Sequence, residues 1–164
     1  MVNYKCKNAI MDSIVIVLVI MIMGIAGVVG HYAFDMVNTD IQADDDIGNM
    51  TKEVSGNLFT IYPALMDNIF LFAFVLLVIF LLISVFLLDT HPIYFVLTFI
   101  LLISVFLVAM LLSNVYEDIM LDAELSGSAN EFPFTSWVMD NMLPLIVGIG
   151  FFTSIALFVK FKAG

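Results

Sequence analysis

Arginine is absent from this 164-residue sequence, histidine occurs twice, cysteine once, and charged residues make up only 12% of the chain. Soluble domains carry about a quarter charged residues, so an ordinary soluble domain is excluded. Five Lys against fifteen Asp and Glu leave a formal net charge of −10, which excludes the basic surface that direct nucleic-acid binding needs. The lone Cys6 cannot form an internal disulfide. The VNYK before it lacks the apolar-small-Gly pattern of a lipoprotein site, so it reads as an inner-face thiol. His-Glu-x-x-His, a Gly-rich phosphate loop, Gly-x-Ser-x-Gly and any cysteine pair are all missing. No catalytic, cofactor-binding or metal-ligating residues are therefore expected. Asp44-Asp45-Asp46 is the one cation candidate, but three consecutive side chains diverge and no Asp-x-Asp-x-Asp-Gly loop with a distal Glu is present.

What is present is apolar surface: 63% of residues, with a mean hydropathy of +1.13. A helix crossing a ~30 Å hydrocarbon core needs about 20 apolar residues. Four such runs occur, at 13–34, 66–88, 93–115 and 142–161, and none has an ionised group in its middle. Their length suits helices rather than short barrel strands. The expected fold is an all-α membrane protein forming a single membrane domain over residues 1–164. It comprises four transmembrane helices, an antiparallel central hairpin and short amphipathic helices in the two long connections, 35–65 and 116–141. Lys5 and Lys7 precede a run longer than a signal-peptide core, with no small-x-small cleavage site, so the first span reads as an uncleaved anchor.

The lysines orient this frame. Lys5 and Lys7 flank span one and Lys160 and Lys162 end span four, so both termini are expected to be cytoplasmic. Thirteen of the fifteen acids then fall outside, offset there only by Lys52. Tyr32, Tyr62, Tyr116 and Trp137 sit at outer boundaries and Tyr94 at an inner one, as interfacial anchors do.

Asp89-Thr90-His91-Pro92 joins spans two and three as a tight turn, with His91 a headgroup-level turn residue. LLISVFL occurs at 81–87 and again at 101–107, placing Ser84 and Ser104 in both arms as packing candidates. Gly24, Gly27 and Gly30, with Ala26, mark the closest expected helix approach, and Gly148 with Gly150 a second. In the first connection, Ile47, Met50, Val54, Leu58 and Ile61 predict an amphipathic helix stopped by Pro63, its apolar face on the bundle or the lipid surface. The second connection is expected to continue span three, break at Ser126-Gly127-Ser128 and re-enter through residues 132–137, with Ser136 or Asn141 capping the last helix. Asp44, Asp45, Asp46, Glu117, Asp118, Asp122 and Glu124 are the candidate partner surface.

Four phrases, NTDIQAD at 38–44, YPALMDNIFLF at 62–72, LDTHPIYFVL at 88–97 and AMLLSNVYED at 109–118, resemble a family of small, uncharacterised four-span proteins. That family belongs to tailless icosahedral viruses whose capsid encloses a lipid membrane. The resemblance implies a virion inner-membrane protein that stays in the bilayer and links it to the capsid or packaging machinery; with the missing catalytic motifs, the expectation is a structural, non-enzymatic protein whose partners are further copies of itself and the capsid or other membrane proteins. It brings no site residues, and it leaves open which membrane face meets the capsid. Two other classes fit the same composition: a holin-like or other oligomeric pore, and an accessory subunit of a cellular membrane complex.

Overall fold

The computed structural model describes residues 4–87 and 92–163. All regular structure there is helical: α1 (Tyr4–Ala43), α2 (Asn49–Leu87), α3 (Pro92–Leu121), α4 (Ser126–Asn130), α5 (Pro133–Asp140) and α6 (Met142–Ala163). Leu18–Ala43, Asn49–Phe80 and Ile103–Leu121 are each long and apolar enough to cross a membrane. The pair α5 and α6, bent by 67°, supplies a fourth span if the two are counted together. By the length and composition of its helices the chain is a membrane protein.

The first two helices outrun the bilayer. With 40 residues, α1 is about 60 Å long, twice a hydrocarbon core. It turns at residues 44–48 into α2, and the two pack along their lengths. This corrects the expected layout of the first connection. No separate amphipathic helix ends at Pro63: α2 runs through Pro63 without a break. The proline removes one N–H and hence one bond to the preceding turn, a local cost that continuous packing on α1 outweighs. The expected apolar face is also not on the bundle. Met50, Val54, Leu58 and Ile61 are exposed, while Ser55, Phe59 and Tyr62 meet α1 through Asn38 and His31.

The second connection differs as well. Ser126-Gly127-Ser128 is not a break but the start of α4. The chain turns earlier, where the Asp122 carboxylate accepts the N–H groups of Glu124 (2.8 Å) and Leu125 (3.2 Å). An Asp acceptor at a turn is stronger than the local preference of a Ser-Gly-Ser tripeptide for irregular backbone.

The turn expected between spans two and three falls at 88–91, outside the described residues. Among the described residues α2 packs on α1, α5 and α6, and α3 on α6, α1, α4 and α5; α2 and α3 share no extended face. Between them, α1 and α6 each pack on both, and α4 and α5 wedge in against α1, α2 and α3. The buried core is correspondingly concentrated around that wedge: Met21 and Val28 of α1, Phe70 of α2, Tyr116 of α3, Phe132, Val138 and Met139. Large apolar side chains elsewhere on the spans, such as Val19, Phe72, Leu107 and Phe151, are exposed, as lipid-facing residues are.

Gly24 sits where α1 meets this wedge. A Cβ there would stand 2.7 Å from Phe70 Cε2, 3.0 Å from Thr135 Cγ2 and 3.1 Å from Met139 Cε. Phe70 and Thr135 are themselves buried, so the ring and the methyl group have little space to shift into. Gly24→Val is therefore expected to destabilise the folded protein in detergent by about 1–3 kcal/mol. Gly148 faces open space, so Gly148→Ala is expected to be neutral or to stabilise by up to about 1 kcal/mol. Thermal unfolding of the two variants side by side checks both values.

Candidate functional site

The helix α5 begins with a deficit. Its N-cap residue is Phe132, which has no side-chain acceptor, and Pro133 supplies no N–H, so the first amides in need of partners belong to Phe134 and Thr135. In an apolar setting such groups cost about 1–3 kcal/mol each if left unpaired. The acceptor comes from 67 residues away. Asp67 of α2, only 8% exposed, accepts the Phe134 N–H on Oδ2 (3.0 Å) and the Thr135 N–H on Oδ1 (2.8 Å). The Thr135 hydroxyl donates to the same Oδ1 at 2.7 Å. A carboxylate at a helix N-terminus is additionally favoured by the macrodipole, and bonds to a charged acceptor are about twice as strong as neutral ones. Asp67 is thus an N-cap supplied in trans.

Three further ties hold the same segment. Ser136 Oγ donates to the Ala129 carbonyl (3.2 Å), so the Tyr116 hydroxyl, 2.7 Å away, is the donor to Ser136. Ser113 Oγ donates to the Met139 carbonyl at 3.0 Å. Tyr32 of α1 donates to Glu124 Oε2 at 2.8 Å, just before α4. The span from Asp122 to Asp140 is therefore a clasp, fastened to α1, α2 and α3 by separate hydrogen bonds. Ser136 and Asn141 do not cap α6 as expected. Ser136 is taken by Tyr116 and Ala129, and Asn141 Nδ2 donates back to the Trp137 carbonyl (2.8 Å).

Beside the clasp lies His31, 4% exposed. Its ring stacks on Phe59 at 4.7 Å and Tyr62 at 5.9 Å, with the edge of Phe132 at 5.8 Å. Its Nδ1 has no hydrogen-bond partner. The imidazole acts here as one ring of an aromatic box that packs α1 on α2 and on the start of α5. Among the described residues no group of three His, Cys, Asp or Glu is placed to hold a metal ion.

The residues singled out by sequence are distributed as follows. Gly24, Gly27 and Gly30 line one stretch of α1 and face Phe70, Phe132 and Tyr62 respectively. A Cβ on Gly148 would meet nothing within 4 Å, and Ser104 donates to the Ile100 carbonyl of its own helix (3.1 Å). Ser84 lies in α2, with its side chain outside the described residues. Asp44, Asp45 and Asp46 form the exposed turn between α1 and α2, where Asp44 Oδ1 accepts the Asp46 N–H (2.9 Å). Glu117 and Asp118 are exposed near the end of α3. Asp122 and Glu124 are exposed but partly committed to the clasp. Sequence reasoning missed Asp67, His31, Ser113, Thr135 and the Tyr116–Ser136 pair. One signal was available: Phe-Pro-Phe-Thr starts a helix with no acceptor of its own, and Asp67 is a solitary acid at the edge of an apolar run.

Asp67→Ala is expected to lower stability in detergent by about 2–4 kcal/mol, because two amides and a hydroxyl lose their acceptor together. Asp67→Asn keeps one acceptor oxygen and is expected to lose less. Equal stability of wild type and Asp67→Ala would rule out the cap.

No protein-family model, curated protein or solved structure matches this chain.

Proposed function

We propose that the protein is a structural, non-enzymatic component of a membrane, an anchor whose outer end holds a neighbouring protein. The setting is the one its sequence resembles, the inner membrane of an icosahedral virion beneath the capsid. The observation that carries this reading is the use made of Asp67. A carboxylate within the apolar part of a transporter or pump marks a pathway for ions or protons. In this chain both its oxygens are engaged by α5, so the group serves to fasten the clasp. The remaining acids support the reading by their exposure at the same end: the turn at residues 44–46, Glu117 and Asp118, and the start of the clasp.

The finer topology belongs to the same proposal. Four spans, with α5 and α6 forming the last, put both termini on the cytoplasmic side with Lys5, Lys7, Lys160 and Lys162. Self-association in the bilayer would use the exposed faces of the spans.

Two measurements test this. In particles that contain the chain, it should stay with the membrane through an alkaline wash and cross-link from its acidic end to one abundant partner, while its expression alone leaves the cell's membrane potential intact. Collapse of the potential would replace the anchor with a pore. The single Cys6 reports orientation: an impermeant maleimide should label it only after cells are opened, and labelling of intact cells would reverse the topology.

A further inference from the structure

Beyond the aromatic belt, α1 and α2 continue as an antiparallel pair. Their facing sides are filled: Ser55 donates to Asn38 Oδ1 (2.8 Å), Gln42 Nε2 donates to the Lys52 carbonyl (2.8 Å), and Lys52 Nζ donates to the Gln42 carbonyl (3.0 Å). The Ser55–Asn38 bond sets the level. Asn38 lies three residues past Asp35, the first exposed charge on α1 after Tyr32; with Tyr32 as the interfacial anchor, α2 from Asn49 to about Leu58 is expected outside the hydrocarbon core.

On that stretch α2 presents Met50, Val54 and Leu58, each one turn from the next and 80, 49 and 54% exposed. They form a straight apolar stripe about 12 Å long. Water is a poor solvent for such a stripe, and contiguous exposed apolar surface marks an interaction site. The surrounding charge decides what covers it. Asp46 lies in the turn just before α2, Glu53 adjoins Val54, and residues 35–65 carry six carboxylates against the single ammonium of Lys52. A second copy would bring the same net acidic outer end, six carboxylates against one ammonium, up to its like, and an anionic lipid surface would be repelled in the same way.

We propose that this outer face of α2 docks a basic amphipathic helix of a neighbouring protein, with apolar residues at one-turn spacing on the stripe and Lys or Arg against the flanking acids. This inference rests on the anchor reading and names the chemistry of the partner that the outer end would hold.

The test uses the full chain in zwitterionic lipid nanodiscs, with empty discs subtracted. The probe is a synthetic helical peptide carrying Leu on one face and Lys on the other. Two control peptides replace Lys by Glu, or Leu by Ser. The Lys/Leu peptide should bind saturably at one per chain, weaken with added salt, and exceed both controls. Val54→Ser with Leu58→Ser leaves the charge unchanged and removes only exposed apolar area. It should keep the melting temperature and lower affinity by about tenfold or more. Equal binding to that variant, or no binding above empty discs, overturns the proposal. So does efficient Val54→Cys disulfide cross-linking between two copies, which would make a second copy the occupant. Binding of the peptide by a chain that does not reside in particles would leave the docking face standing and refute the virion anchor. Cross-linking in particles only through Glu117 and Asp118, without peptide binding, would do the reverse.

Discussion

A helix that starts in an apolar environment with no acceptor at its N-cap must find one elsewhere or remain unfolded. In this protein α5 is in that position, and the acceptor is Asp67 on α2. Much of the bundle follows from that bond. It holds α5 against α2, and the continuation of the chain then brings Val138 into the core and Met139 next to Gly24, and places Met142 at the start of α6. A carboxylate buried without such donors would be costly in the same place, so the cap satisfies both partners at once.

The small residues of α1 are the complement of this arrangement. Gly24 and Gly27 leave room for Phe70, Thr135, Met139 and Phe132, and Gly30 receives the Tyr62 hydroxyl end, where a Cβ would lie 2.6 Å away. Close approach without side chains is a common basis of helix packing in membranes, where the hydrophobic effect does not drive one helix onto another. Here it joins a span to a short helix at a bend, as well as to a neighbouring span. Tyr116, Ser113 and Tyr32 then distribute hydrogen bonds from α3 and α1 around the clasp, so its position is over-determined.

The helical, membrane-spanning character was legible in the sequence because twenty-residue apolar runs have few alternative solutions. Gly24, Gly27 and Gly30 stand out in the sequence by their spacing alone, whereas the side chains opposite them, Phe70, Phe132 and Tyr62, do not. Element ends were not legible. Pro63 reads as a stop by local rules, yet the long contact of α2 with α1 carries the helix through it. Ser126-Gly127-Ser128 reads as a break, yet Asp122 makes the turn before it. The clasp was hidden for a different reason: Asp67 and Thr135 are 68 residues apart, and no local pattern pairs them. His31 likewise becomes part of an aromatic box only when Phe59, Tyr62 and Phe132 converge from two other places in the chain.

The Asp67 carboxylate holds the start of α5 on the bundle. Hydrogen–deuterium exchange in lipid nanodiscs, resolved at the Phe134 and Thr135 amides, tests it most directly. Strong protection of both amides is expected in the wild-type chain, and in Asp67→Ala a loss of protection across residues 126–141 while the middle of α1 stays protected. Rapid exchange of these amides in the wild type, or protection unchanged by the substitution, would contradict it.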